Sequence, residues 1–473
     1  MIENLAIFGA TGDVTKRYIF PALTRLHDEG CLDGHFSIVG VGRRDWTSAQ
    51  FQEHISEMLG THRPQLPTGS REKFLPLLEY ARVEDLSQVD SLGRVFANKS
   101  GSWLIYLGLP PQLYPSIVKA LSHLALPAGT RIIIEKPFGL DYAQSKELNR
   151  LLHRKFSEDD VYRIDHFLGI PTVFNILGLR FDCQLFEPIW NRCHIKKVEV
   201  IWDETLALEG RADYYDRAGA LKDMIQNHLL QMLVLLAIEP LESIWSPEFR
   251  DNKVKVLRSV RKLSKAEIQA HTTRATYQSG RILGKPVSAY AMESGVVPER
   301  KTETFAQVSM WVDNERWQGV PFILRSGKAL KKERKEILIH FKNPRRKGRR
   351  LPSKRGHNIL HFNLDTDEMN LELLNIEGGA GMRRKPTRMD AQLSSQNLPP
   401  YARLFLEAMS GNSTLFIRND EVEEMWNIVQ PIADSWGNNL VPLQTYRAGS
   451  LGPSLEGQTP KPHHLKEAQV IDV

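Results

Sequence analysis

A short apolar run at residues 5–8 stops at Gly9-Ala10-Thr11-Gly12-Asp13 and passes at once into a helical pattern through Leu23 and Leu26. Strand, tight turn and helix in that order open a parallel, doubly wound α/β sheet. Further apolar runs at 36–41, 103–109 and 131–134 alternate with helical stretches such as 114–124. This unit is expected to span residues 1–162. Gly9 and Gly12, with Thr11 and Asp13 beside them, would let a pyrophosphate approach the backbone at a helix N-terminus. The G-x-x-G spacing is weak alone, since an ordinary turn looks the same; its place at the first strand-to-helix turn points to a dinucleotide. The second run ends Val41-Gly42-Arg43-Arg44, where a NAD site usually carries an acid. Two arginines suit a 2′-phosphate, so NADP is the expected cofactor with Arg43 its main contact. Solvated surface arginines are an equally good reading of that pair alone.

The second half reads differently. Residues 197–202, 305–312, 337–341 and 359–364 alternate apolar and polar in part, as half-buried strands do. Residues 223–238 form a long pattern that is apolar nearly all round after His228, which predicts a buried helix. Residues 163–473 are therefore expected to form a larger α+β domain on a mostly antiparallel sheet. The length of 473 residues, 41% hydrophobic and 25% charged, allows two or three domains with large cores. No apolar run reaches transmembrane length and the start lacks a basic leader. Cys31, Cys183 and Cys193 have no metal-like spacing, so no metal is expected; they suggest a reducing compartment, cytoplasm by default. The net charge of +6 suits anionic cofactors without requiring nucleic acid. The basic stretch at 328–355, centred on Arg-Arg-Lys-Gly-Arg-Arg at 345–350, reads first as a solvated loop, because its centre has no aromatic side chain to stack a base.

Residues 161–174, VYRIDHFLGIPTVF, place Asp165 beside His166 in an apolar frame. Aspartate can orient an imidazole, and histidine can carry a proton or bond an anion near neutral pH. With GATGDVTKRYIFPAL, YLGLPP, EKPFG, FEPIWNR, QNHLLQ, TETFA, RWQGVPFILRSGKAL and FIRNDEVEEMW, this run closely resembles the glucose-6-phosphate dehydrogenase family from Gly9 to about Pro453. The resemblance implies a Rossmann domain, a large α+β domain, a homodimer or dimer of dimers, and oxidation of a sugar C1 to a lactone. It implies that His228 is the general base and that Asp165 orients it. It implies that Lys136 reaches both substrate and cofactor beside a cis Pro137, that Glu204 and Asp223 bond sugar hydroxyls, and that Tyr106 lines the cofactor. EKP alone also occurs in the Gfo/Idh sugar dehydrogenases; QNHLLQ and RIDHFLG separate the two.

The chain departs from the family at the far end of the sugar. There the family holds a phosphate with the signature histidine, a tyrosine, a lysine and a basic pair on GKAL. This chain keeps His166 and Lys328 but has Phe167 for the tyrosine, Ile170 for the lysine and Glu333 for a cation. At about 1.5–3 kcal/mol per charge-assisted hydrogen bond, those losses would cost roughly a thousandfold or more in affinity. Two expectations follow: glucose 6-phosphate with a cation from Arg334 or Lys331, or an unphosphorylated or amino hexose. A non-catalytic nucleotide-binding relative is a third, disfavoured because Asp165, His228 and Lys136 are all present.

Overall fold

The computed structural model describes residues 2–32, 35–62, 69–97, 99–210, 212–244, 248–342, 358–377, 383–393 and 398–454. The basic centre at 345–350 and the tail from 455 lie outside them. Six strands form the first sheet: β1 (Ile2–Phe8), β2 (Ser37–Gly42), β3 (Leu78–Arg82), β4 (Ser102–Leu107), β5 (Arg131–Glu135) and β6 (Val161–Ile164). All pair in parallel, in the order β3-β2-β1-β4-β5-β6. The order reverses between β1 and β4, which puts a ligand crevice at the carboxyl end of β1. Both faces of β1 are buried, Ala6 and Phe8 in one core, Leu5 and Ile7 in another. That explains its unbroken apolar run. β3 reads Leu-Glu-Tyr-Ala-Arg and has no apolar run, because an edge strand needs less apolar surface. The expected division after Tyr162 falls inside β6.

The second sheet has nine strands: β7 (Ile195–Asp203), β8 (Thr272–Gln278), β11 (Phe305–Trp311), β12 (Pro321–Gly327), β13 (Arg334–Phe341), β14 (Ile359–Asn363), β15 (Glu368–Glu377), β16 (Arg383–Gln392) and β17 (Leu443–Arg447). A small hairpin, β9 (Gly280–Ile282) with β10 (Lys285–Val287), stands apart. The order is β16-β15-β14-β13-β7-β12-β11-β8-β17. Only β7–β12 and β8–β17 pair in parallel, so the sheet is mixed but mostly antiparallel. The buried helix lies across it. Its first part, Leu221–Leu229, winds in wide π turns and its second, Leu230–Ala237, is α-helical. Ile225, Leu229 and Leu233 share a core with Val198, Val200, Leu324, Ile337 and Ile339 from one face of the sheet. π turns cost hydrogen-bond geometry and recur at functional sites. Among the described residues no helix is long and apolar enough to cross a membrane.

Candidate functional site

Asp165 follows β6 directly and His228 sits in the π-turn helix. The two meet with Asp165 Oδ1 2.5 Å from His228 Nδ1, each side chain only 1% exposed. A carboxylate is an acceptor, so Nδ1 carries the proton and Nε2 keeps its lone pair. Burial pulls His228 below its ordinary pKa, and Asp165 partly opposes this. Burial opposes ionisation of Asp165, but the imidazole outweighs it and holds the carboxyl below its usual range. The same Oδ1 accepts the Phe167 backbone N–H at 3.0 Å, capping the short helical turn His166–Gly169. Phe167 lies flat on the His228 ring, centroids 3.9 Å apart and planes within 9°. Its other side tilts against Trp202 at 4.2 Å. Contact with the imidazole is thus what an aromatic residue does at this position, a role that needs no hydroxyl.

Two ion pairs flank this dyad. Lys136 Nζ donates to Asp223 Oδ1 and to its backbone carbonyl, both at 3.0 Å. Burial opposes the Asp223 charge, yet Lys136 and Lys328 hold its carboxyl down to about 2. Glu204 Oε2 meets Lys328 Nζ at 2.5 Å, and Trp202 Nε1 donates to Glu204 Oε1 at 3.4 Å. The Lys136–Pro137 peptide is cis, as expected. Four residues predicted separately for one ligand thus form two ready pairs of donors and acceptors. Vicinal hydroxyls can enter such pairs by accepting from the lysine and donating to the carboxylate.

The remaining expectations divide. His166 stacks on Tyr401 at 5.9 Å and meets His228 edge-on at 5.0 Å. Burial, with the neighbouring His228, holds it well below its ordinary pKa, so it offers an anion a hydrogen bond and not a charge. Ile170 packs against the large apolar core at the start of the helix Pro171–Phe181. Glu333 stands just before β13, 43% exposed and 3.7 Å from Lys335. Arg334 does not restore a cation. It pairs with Asp203 and turns its guanidinium to Glu336 on the opposite face of the sheet. Strand alternation instead puts Lys335 opposite Trp202 on the dyad's face, its ammonium 5.3 Å from the Trp202 ring. Lys335 also bonds Asp365 at 2.9 Å. Lys331 is exposed and anchored by its backbone to Ser450.

At the first crevice, Gly9 has φ +79°, and a Cβ there would lie 2.2 Å from the Gly108 carbonyl oxygen. Gly12 N–H donates to Gly9 O at 2.9 Å and Thr15 Oγ1 donates to it at 3.0 Å, which closes the turn. Thr11 is partly exposed beside it. Asp13 is exposed and pairs with Arg17 at 2.8 Å. Arg43 is exposed just past β2, whereas Arg44 stacks on Trp46 at 4.6 Å. Tyr106 corrects an expectation. It faces inward on β4, fully buried, and donates to Glu135 Oε1 at 3.0 Å. Its hydroxyl is spent on Glu135, whose carboxyl burial pushes up to about 7.

Glu303 was not anticipated. It is 8% exposed, and its Oε1 accepts the Leu221 N–H at 3.0 Å while its carbonyl accepts Ala220 N–H at 3.1 Å. It therefore caps the helix that carries Asp223 and His228. The next residue, Thr304, accepts the Lys328 N–H at 2.9 Å. Gly219 has φ +65° and leaves the carboxyl its room, since a Cβ there would sit 2.3 Å from Glu303 Oε1.

Residues 6–175 match the family model described as glucose-6-phosphate dehydrogenase, NAD binding domain, and residues 177–464 its C-terminal domain. Glucose-6-phosphate 1-dehydrogenase of Treponema pallidum is 38% identical over 99% of this chain and 96% of its own length. That of Bacillus subtilis is 35% identical over 95% and 94%. A solved glucose-6-phosphate dehydrogenase in complex with its substrate glucose-6-phosphate superposes with a TM-score of 0.85 at 29% identity, covering 96% of each chain. The Mycobacterium avium enzyme gives 0.82 at 31% identity, again covering 96% of each. By sequence over nearly its whole length and by both sheets of its fold, the chain belongs to the glucose-6-phosphate dehydrogenase family.

Proposed function

We propose that this chain oxidises C1 of glucose 6-phosphate with NADP and releases the 1,5-lactone. The observation that carries the reading is the buried Asp165–His228 dyad facing two lysine–carboxylate pairs. The C1 hydroxyl gives its proton to His228 Nε2, and Asp165 stabilises the imidazolium that forms. The C1 hydrogen leaves with its electron pair as C1 becomes a carbonyl. The nicotinamide supplies the acceptor for that hydride. Glu204 and Asp223 accept from ring hydroxyls, and Lys136 and Lys328 donate to ring oxygens. Phe167 keeps water from the imidazole face. Gly9 and Gly12 shape the pyrophosphate turn, with Thr11 and Asp13 at its rim, and exposed Arg43 meets the 2′-phosphate.

For the sugar phosphate, His166 supplies a neutral donor and Lys335 a cation on the correct face of the sheet. Relatives named for glucose 6-phosphate along the full length support that substrate over an unphosphorylated or amino hexose. The test is NADP reduction followed at its absorbance, with glucose 6-phosphate and glucose side by side. Reduction with glucose 6-phosphate at a kcat/KM at least a hundredfold above glucose supports the reading; equal values would sink it. Family membership also supports a homodimer or dimer of dimers on the large sheet, which light scattering tests. The three free cysteines fit a cytoplasmic protein.

A further inference from the structure

A second cavity, about 330 Å³ in volume, lies at the start of the helix capped by Glu303. It shares no lining residue with the dyad, the two ion pairs or the glycine turn. Arg217, Lys222, Arg274, Arg300 and Lys301 line it, with Asp216 and Glu303 its two acids. These come from the helix Ala212–Ala220, the π-turn helix, β8 and the segment leading into β11.

The acids are committed inward. Asp216 accepts from Tyr290 Oη at 2.8 Å, from Val297 N–H at 3.1 Å and from Arg300 at 2.5 Å. Glu303 is occupied with the helix cap. Three cations are partly used: Arg300 by Asp216, Arg274 by the Val441 carbonyl at 2.9 Å and Lys222 by the Leu140 carbonyl at 3.1 Å. Arg217 and Lys301 are exposed and, among the described residues, no hydrogen bond or ion pair engages either side chain. Five cations thus surround a concave space with most of their charge unbalanced. Burial of Arg274, 3% exposed, and partial burial of Lys222 strengthen any charge-assisted bond made there.

We propose that this cavity binds a small phosphate-bearing anion and that its occupancy tunes the sugar site. The volume admits a di- or triphosphate, and guanidinium forks match phosphate oxygens in pairs. The route to the sugar site is short. Lys222 precedes Asp223 in the chain, Glu303 holds the helix start, and Thr304 holds the Lys328 backbone. A ligand that draws residues 300–303 toward it moves both ion pairs of the sugar site. The kinetic half of this proposal rests on the glucose 6-phosphate reading; the binding half does not.

The probe is inorganic pyrophosphate, titrated calorimetrically into the full chain. Saturating NADPH and glucose 6-phosphate occupy the other phosphate sites without turnover. We expect saturable binding near one equivalent, weakened at least tenfold in the double variant Arg217→Glu, Lys301→Glu. We also expect pyrophosphate to change the rate non-competitively toward both substrates, an effect absent from the variant, whose rate without pyrophosphate is unchanged. Absence of saturable binding, equal binding by the variant, or purely competitive inhibition would overturn the proposal. If the double charge reversal unfolds the chain, Arg217→Gln with Lys301→Gln replaces it, checked by its thermal transition. If the chain turns over no glucose 6-phosphate, the titration with NADPH alone still decides the binding.

Discussion

The two ends of the candidate site are built on different terms. Asp165 and His228 are each 1% exposed, joined at 2.5 Å and roofed by Phe167. The pairs Lys136–Asp223 and Glu204–Lys328 keep 15–23% of their side chains open. Buried, the dyad has one arrangement and its charges are little screened. Partly open, the pairs can separate around a ligand and close again. The difference teaches that the proton-transfer end is fixed by packing, while the recognition end is assembled from replaceable charges.

The largest effect expected from breaking this contrast is at the dyad. His228→Ala should lower kcat by about ten-thousandfold with little change in KM. An equal loss in KM would instead make His228 a recognition residue. Asp165→Asn should cost about a thousandfold in kcat. It should also move the acidic limb of kcat/KM. His228 must be neutral to act, so activity is lost as pH falls through its pKa, which lies below the ordinary 6.5. Asp165 is the group that holds this pKa up, so its removal should shift the limb to still lower pH, read from a pH–rate profile.

At the open end effects should fall on KM. Asp223→Asn should raise KM for the sugar by roughly a hundredfold, since it removes a charged acceptor worth about 1.5–3 kcal/mol. Lys335→Ala should raise KM for glucose 6-phosphate about fivefold and leave KM for glucose unchanged, because a cation already shared with Asp365 contributes about 1 kcal/mol. The smallest change is Phe167→Tyr, expected within about threefold of wild type in kcat. A tenfold gain in affinity would mean that the stacked ring reaches the phosphate after all.

Much of this was legible in the chain. The glycine turn announces itself because Gly9 must adopt positive φ against Gly108, and β1, β2, β4 and β5 because both their faces are buried. The dyad's members are marked by motif, though 63 positions separate them. What stayed hidden depends on register. Arg334 and Lys335 are neighbours in sequence and lie on opposite faces of one sheet, a fact fixed only by the pairing with Asp203 and Trp202. Tyr106 and Leu107 pose the same problem on β4. Glu303 was illegible for another reason: a cap supplied from a distant segment leaves no local pattern.

A single atom ties the proton chemistry to the shape of the loop. Asp165 Oδ1 is shared between the His228 ring and the Phe167 backbone amide. The loop that presents the roofing ring and the imidazole beneath it therefore hang from one carboxylate oxygen. Any evolutionary drift that loosens the loop must also loosen the base, so this stretch can be lost with the enzyme's activity but cannot be remodelled beside it. Newly acquired specificities in such a lineage are then confined to the outer rim, where Lys335 and Glu333 stand.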